Sequence, residues 1–372
     1  MQSDQQHDAT PIVDNSVTLP SPHAPRALRQ APPSGSADDP QTRRESIFAS
    51  EPAAKQPYAT LERGYMRGAA FLGPSDAKSA FEAAVPHIAL SEHQQRETIG
   101  SVVDVVDHHG MLFGIAATRG LGHRVGKEPA VRQDSAAYST DESRRYVVAA
   151  LSDGVSNSPA SSFGASIVTR YAVADVQEQL ETGRAPSDID WHAVQERIYD
   201  EMTAFYEAYG VDVTDRRQMA RDIGATCEVL IVDTDPERPD LPFVRAVLAG
   251  DGAGYLFHRD DRHIESLGSW ELKDGIFDTS AVSPLPCEQE APFPILRDGV
   301  IRPGDCLMIT TDGIGKDIGT APTGNDVAEF LYDRLMEHDA KHPITEAELL
   351  QTIQYAAPGS QDDRSVITVW GR

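Results

Sequence analysis

The sequence has few cysteines and no long apolar run, and each shortage excludes a class of protein. Its 372 residues include only Cys227, Cys287 and Cys306, which are far apart and form no CxxC pair. This spacing is typical neither of a disulfide framework nor of a zinc site, and it favours a reducing compartment. No stretch is long and apolar enough to span a bilayer, which argues against a membrane protein.

Positive charge is also scarce. The chain has 33 Lys and Arg residues against 58 Asp and Glu residues, a formal net charge of −25. This balance argues against nucleic acid or an anionic membrane surface as the main partner. The first residues, 1–8, lack the basic start and the apolar core of a signal peptide. These features predict a cytoplasmic protein.

The composition divides the chain into three parts. Residues 1–58 are rich in Pro, Ser, Gln and Asp and almost free of aromatic residues, so they cannot bury enough apolar surface to offset their ordering entropy. We predict a disordered tail there, a connector that packs on the domain edge over 59–110, and one folded domain over 111–372.

The domain alternates short apolar runs with amphipathic stretches. The runs predict strands over 112–118, 146–152, 224–232, 243–249, 254–257, 306–311 and 365–370. The stretches predict helices over 161–181, 191–209, 326–337 and 345–355, and a short helix over 75–85. Residues 269–297, rich in proline, are predicted to form a surface flap. Many strands with helices in pairs indicate an α+β fold in which two packed antiparallel sheets are covered on both outer faces.

Acidic residues stand where several of these strands begin or end. Asp153 and Asp312 each follow an apolar run and precede a glycine, whereas Asp134 and Asp362 come just before strands. A single strand–Asp–Gly segment is equally well explained as a turn. Four carboxylates at one sheet edge would repel each other and raise their pKa values unless a cation is present. Hard cations such as Mg²⁺ and Mn²⁺ prefer oxygen ligands of this kind.

The ordered series of short motifs resembles the protein phosphatase 2C family in a bacterial form, over about residues 112–370. The motifs are Arg132-Gln133-Asp134, Ser152-Asp153-Gly154, Gly224-Ala225-Thr226, Gly250-Asp251-Gly252, Thr311-Asp312-Gly313 and Asp362-Asp363-Arg364. The resemblance implies a four-layer α-β-β-α sandwich. It also implies a metal-dependent phosphatase that removes phosphate from serine and threonine in a phosphoprotein, the substrate of a bacterial-type kinase.

The resemblance also implies roles for individual residues. Two Mg²⁺ or Mn²⁺ ions would activate a water molecule, with Asp153 between them and the Gly154 carbonyl on one. Asp312 and Asp362 would hold the first metal ion, and Asp134 would organise the water molecules around both. Arg124 and Arg132 are the candidates for binding the substrate phosphate, with His123 as a possible helper. Each is equally well explained as a solvated loop cation.

The sequence departs from the family pattern in three places. A histidine that often follows the motif of Asp153 and Gly154 is missing, and Gln133 replaces a glutamate. The phosphate-binding arginine of the family cannot be placed by register, because its position falls near Pro129. In addition, Asp317, the candidate for a third metal ion, stands one residue out of register. These departures leave an alternative open, a catalytically weak or inactive phosphatase-like module that binds a phosphoprotein partner. Asp251 is interpreted as a turn residue and Asp363 as a residue close to the site.

Overall fold

The computed structural model describes residues 58–60, 69–74, 76–79, 100–125, 131–141, 143–211, 215–269, 272–273, 276–277, 284–286 and 294–372. Nearly all of the predicted tail, most of the predicted helix over 75–85 and most of the predicted flap lie outside these residues. The three-part division of the chain therefore stays a prediction. No helix in the described part is long and apolar enough to cross a membrane.

The described residues form strands and helices in mixed order. The strands are β1 (Ala59–Thr60), β2 (Ala70–Phe71), β3 (Ser101–His108), β4 (Met111–Thr118), β5 (Ser135–Thr140), β6 (Tyr146–Ser152), β7 (Cys227–Asp233), β8 (Leu241–Ala249), β9 (Ala253–Phe257), β10 (Ile264–Ser269), β11 (Leu272–Lys273), β12 (Ile276–Phe277), β13 (Ile295–Ile301), β14 (Cys306–Thr310) and β15 (Arg364–Trp370). The helices are α1 (Leu121–Val125), α2 (Ser161–Glu181), α3 (Trp191–Ala208), α4 (Arg216–Ile223), α5 (Asp312–Ile318), α6 (Asp326–Met336) and α7 (Glu346–Ile353).

Two antiparallel sheets make up most of the strand structure. One has six strands in the order β10-β9-β14-β15-β4-β3, and the other has five in the order β13-β8-β7-β6-β5. The short pairs β1-β2 and β11-β12 are separate. The predicted α+β class with two antiparallel sheets is confirmed. Along the chain, the first strand of the six-stranded sheet is β3, an edge strand that lies inside the segment predicted as a connector.

Three clusters of buried apolar side chains fill the spaces between the layers. The cluster between the two sheets contains Phe113, Leu151, Leu230, Leu307 and Ile367. A second cluster joins the six-stranded sheet to α5, α6 and α7, and a third joins the five-stranded sheet to α2, α3 and α4. Both sheets are therefore buried on two faces, which is why their strands are continuous apolar runs instead of alternating ones. The order of layers is helix, sheet, sheet, helix.

Strand β6 illustrates how one run serves two layers. Val148 and Ala150 pack towards the helices, whereas Val147, Ala149 and Leu151 pack towards the other sheet. Successive side chains of a strand point to opposite faces, so an uninterrupted apolar run satisfies both. The run ends at Ser152, where the chain leaves the sheet.

The register of the strands brings the acidic motifs to one end of the sandwich. Ser135 pairs with Ser152, so Asp134 and Asp153 leave adjacent strands at the same end. Thr310 pairs with Val366, which places the residues before β15 near the residues after β14. These two strand ends carry Asp362 and Asp312. Thr311, which follows β14, donates a hydrogen bond to Asp134, so the two pairs of strand ends and the four predicted site residues lie at the same end of the sandwich.

Candidate active site

The segment after β6 is fixed by the neighbouring strand β7. The Asp153 N–H donates to Thr226 Oγ1 at 2.7 Å, and the Thr226 N–H donates to the Asp153 carbonyl at 2.8 Å. Gly154 then passes close to the start of α2, because a Cβ atom on it would lie 2.8 Å from the Cβ atom of Ser161. Only glycine fits there without displacing the helix.

Asp134 and Asp153 form a directly interacting pair. Their carboxyl groups share a hydrogen bond, and Thr311 Oγ1 donates to Asp134 Oδ2 at 2.8 Å. Burial, followed by the charge of Asp363, raises the pKa of Asp134 to about 8. Burial and the charge of Asp134 raise the pKa of Asp153 well above its ordinary value. Without a cation, this pair therefore retains a proton near neutral pH.

Asp312 is the first residue of α5 and is almost fully buried. Its Oδ2 atom forms a short ion pair with the Lys316 ammonium group, one turn further along the helix. Its Oδ1 atom is buried and has no hydrogen-bond partner in the described part of the chain. A buried carboxylate oxygen without a partner is costly, so a ligand or water would be stabilised there.

Burial and neighbouring negative charge also raise the pKa values of Asp251 and Asp362. Burial, then the charge of Asp312, raises the pKa of Asp251 to about 6. The same two causes, in the same order, raise the pKa of Asp362. Asp251, which the sequence indicates as a turn residue, thus also lies close to the other carboxylates.

A small cavity at this edge includes Asp153, Asp251 and Asp312 in its lining, together with Glu228. Glu228 belongs to β7 and is buried. Its Oε1 atom accepts a hydrogen bond from Arg245, whereas Oε2 is buried without a partner in the residues that the structure describes. The sequence analysis missed Glu228; an acid inside an otherwise apolar strand was the available signal.

Asp363 connects the two loops beside the acidic residues. Its carboxylate accepts from the Gly120 N–H at 2.7 Å and from the Gln133 N–H at 2.5 Å, and it bonds His123 Nδ1 at 2.8 Å. The hydrogen bond with Asp363 raises the pKa of His123. Gln133, which replaces a glutamate of the family pattern, donates to Ser161 Oγ at 2.8 Å. Asp363 therefore orders the segments that carry His123 and Asp134.

Of the two arginine candidates, the structure describes the side chain of Arg132 but not that of Arg124. Arg132 is half-buried, donates from Nη1 to the Ala117 carbonyl at 3.2 Å, and has a buried Nε without a partner in the described part of the protein. Burial lowers its pKa. Arg124 lies on α1, but its side chain is outside the described structure. Asp317 accepts hydrogen bonds from Tyr355 and Ser360, both at 2.6 Å.

The donor set fits a hard divalent cation in its chemistry. Its members are carboxylates, several with pKa values raised by burial and mutual repulsion, and Asp312 Oδ1 lacks a partner. A cation would relieve both features. As the side chains stand, however, no three His, Cys, Asp or Glu residues of the described ranges form a group that could hold a metal ion. The Lys316 ammonium group pairs with Asp312 Oδ2 instead.

Comparison with solved structures gives distant matches. The chain is 14% identical to the S. agalactiae serine/threonine phosphatase, covering 73% of this chain and 100% of that one with a TM-score of 0.45. It is 17% identical to the catalytic domain of the serine/threonine phosphatase PstP in complex with two manganese ions, covering 72% and 98% with a TM-score of 0.41. A phosphatase from Toxoplasma gondii matches at 13% identity, 73% and 96% coverage and a TM-score of 0.47.

Among curated protein sequences, none matches this chain significantly. The model of the family "Protein phosphatase 2C", however, matches residues 119–351 of this chain. This span includes Asp134, Asp153 and Asp312, and it ends before Asp362. Because it covers more than half of the sequence, the chain belongs to the protein phosphatase 2C family.

Proposed function

We propose that this protein is a metal-dependent protein serine/threonine phosphatase that hydrolyses phosphoserine and phosphothreonine with the help of two Mg²⁺ or Mn²⁺ ions. The observation that carries the proposal is the convergence of Asp134, Asp153, Asp312 and Asp362 at one end of the sandwich, in a chain of this family. A cluster of buried acids destabilises the apoprotein, so a function that needs them explains their presence.

In this proposal the metal ions are held by Asp153, the Gly154 carbonyl, Asp312 and Asp362, with Asp134 beside them. When bound, two divalent cations lower the pKa of a water molecule and stabilise negative charge on a phosphoryl group. Asp312 Oδ1 has no hydrogen-bond partner among the described residues, so a cation there would displace no hydrogen bond seen in that part of the chain.

The protein's own residues supply position and proton control. Thr311 and Thr226 hold Asp134 and the backbone of Asp153 in place through hydrogen bonds of 2.8 and 2.7 Å. Burial raises the pKa of Asp134 to about 8 in the protein without metal, and bound cations would lower it, so that Asp134 would act as a carboxylate beside them. We assign the binding of the substrate phosphate to Arg132 or Arg124, with His123 as a helper. The substrate is a phosphoprotein of a bacterial-type kinase in the cytoplasm.

The proposal is tested by hydrolysis of a phosphothreonine peptide with Mn²⁺, with Mg²⁺ and with EDTA. We expect turnover that EDTA abolishes and added Mn²⁺ restores. Asp153→Asn changes the side-chain volume little but removes a charge, so turnover should fall to background while the fold survives. Asp188 is an exposed residue between α2 and α3, and Asp188→Asn should leave turnover unchanged. Full activity of the Asp153 variant would refute the assignment.

Two observations favour the second candidate, a regulatory module without strong activity. Lys316 already pairs with Asp312, and Gln133 removes one carboxylate from the family pattern. Such a module would bind the phosphopeptide with a measurable Kd yet show no turnover at any Mn²⁺ concentration. The same assay, combined with calorimetric binding of the peptide, separates the two functions.

A further inference from the structure

Lys316 is a cationic side chain that pairs directly with Asp312 at the acidic edge. Its ammonium group forms a short ion pair with Asp312 Oδ2, and the charges of Asp251 and Asp362 also act on it. The side chain is 45% exposed, whereas that of Asp312 is 7% exposed. The ammonium group therefore reaches from the surface towards a buried acid.

An ordinary ion pair between residues four apart on a helix is a surface feature that contributes little to stability. This pair differs because its acid is buried at the cavity edge and has a second oxygen, Oδ1, without a hydrogen-bond partner among the described residues. Removal of a partner from a buried charge has a much larger effect than removal of one from an exposed charge. The pair is therefore part of the charge balance of the site.

We propose that Lys316 is a built-in cation of this site, which neutralises Asp312 when no metal is bound and weakens the binding of divalent cations beside Asp312 and Asp251. The ammonium group occupies Oδ2, so only Oδ1 of Asp312 is open to a metal ion. A divalent cation close to Lys316 also experiences like-charge repulsion, which is strong at short distance near a protein surface. Lys316 thus sets the metal affinity of the site.

This inference has two consequences of opposite sign. Without metal, loss of the ammonium group leaves Asp312, Asp251 and Asp362 less compensated, so the apoprotein becomes less stable. With metal, the same loss removes repulsion and frees Asp312 Oδ2, so binding becomes tighter. A purely structural ion pair would destabilise both forms and would not strengthen metal binding.

The experiment uses the full chain and two measurements, calorimetric titration with MnCl₂ and thermal unfolding in EDTA or in excess Mn²⁺. Lys316→Gln should bind Mn²⁺ about tenfold more tightly, or bind an additional ion, because one positive charge is removed at short range. Its Tm should fall in EDTA, and the rise in Tm on adding Mn²⁺ should exceed that of the wild type. Lys316→Arg keeps the charge and should retain weak binding.

Lys341→Gln is the matched control. Lys341 is exposed in the loop between α6 and α7, and its loss changes the net charge by the same amount. We expect wild-type Mn²⁺ binding and an unchanged effect of Mn²⁺ on Tm. If Lys316→Gln binds Mn²⁺ with wild-type affinity and stoichiometry, the inference is wrong.

The metal-binding part of the inference rests on the proposed function, and the outcomes separate the two. Wild-type binding and turnover with no effect of Lys316→Gln would contradict the inference alone. Binding by Lys316→Gln but not by the wild type would support the inference and contradict metal-dependent activity of the natural chain. Absence of binding in both would overturn both.

Discussion

Thr311 Oγ1 donates a hydrogen bond to Asp134 Oδ2 at 2.8 Å, although the two residues belong to different sheets and are 177 positions apart. Asp134 precedes β5 of the five-stranded sheet, and Thr311 follows β14 of the six-stranded sheet. The same hydroxyl group accepts the Ser365 N–H at 3.1 Å. One side chain therefore connects both sheets to a buried acid of the candidate site.

Thr311→Val should impair catalysis without unfolding the protein. Valine has nearly the same shape but cannot orient Asp134 or accept from Ser365, and an unsatisfied buried N–H group costs about 1–3 kcal/mol. We expect the free energy of unfolding to fall by about that amount, and kcat for a phosphopeptide to fall by about one to two orders of magnitude. Thr311→Ser keeps the hydroxyl group and should recover most of the turnover. Equal kcat for wild type and valine variant would show that Asp134 needs no such support.

The choice between the two arginines gives a second prediction. Arg132 is the described candidate, and its Nε atom is buried without a partner in the described residues. If it binds the phosphate, Arg132→Ala should lower kcat/KM by about two to three orders of magnitude, because charge-assisted bonds to phosphate act in both ground and transition states. Arg132→Lys should recover only part of the lost kcat/KM, since lysine lacks the planar guanidinium group that binds phosphate through two hydrogen bonds. Arg124→Ala is assayed in parallel, and wild-type values for both alanine variants would exclude both residues.

The sequence was sufficient to predict seven of the eleven strands described in the two sheets, because both sheets are buried on two faces. The run 146–152 predicted β6, and 161–181 predicted α2, with the bounds that the structure has. Long amphipathic or continuous apolar segments retain their local preference in the fold. Convergence of the aspartates followed from their place at strand ends, which antiparallel register turns into proximity.

Features that depend on tertiary contacts were harder to predict. Strand β13 has an exposed face and a central glycine, so its sequence lacks an apolar run, and it is held by pairing with β8. Helix α5 starts at Asp312 itself, whereas the sequence indicated only that Asp312 follows an apolar run and predicted no helix there. Lys316 and Glu228 came to the site only through this helix and through β7. No local pattern indicates this for Lys316, and for Glu228 the available signal is an acid inside an otherwise apolar strand.

The buried pair of Glu228 and Arg245 gives a stability prediction. Arg245 also donates to the Gly252 carbonyl at 3.0 Å and to the Gly268 carbonyl at 2.8 Å. Arg245→Met leaves a buried carboxylate without its cation, which typically costs about 3–5 kcal/mol. We expect a loss of that size in urea unfolding, and a smaller loss when Glu228→Gln is added to the same chain, because no uncompensated charge then remains.

The pair of Arg216 and Glu196 serves as the comparison for this prediction. It joins α4 to α3 at 2.8 Å with side chains 26% and 40% exposed. Glu196→Gln should change the free energy of unfolding by about 0–1 kcal/mol, the usual range for exposed pairs. If Arg245→Met were as stable as Glu196→Gln, the prediction that the buried pair contributes more to stability than the exposed pair would be wrong.

The start of α7 gives a prediction of pH dependence. The Thr345 N–H donates to Glu348 Oε2 at 2.8 Å, and the Glu348 N–H donates to Thr345 Oγ1 at 3.2 Å, which is a reciprocal cap. The bond from the Thr345 N–H lowers the pKa of Glu348 in the folded state. The unfolded chain therefore binds this proton more readily. The contribution of Glu348 to stability is present above its unfolded pKa and is lost as the pH falls through the folded pKa.

Glu348→Gln should consequently reduce the free energy of unfolding at about pH 7, where the carboxylate accepts as an anion, and the difference from the wild type should shrink as the pH approaches about 3. Glu346→Gln removes the same charge from the same first turn but not the cap, so it is the matched control and reports the helix-dipole effect alone. Urea unfolding of the three proteins across this pH range measures both effects. If the two variants lose stability equally and with the same pH dependence, the contribution comes from the charge near the helix start and not from the reciprocal cap.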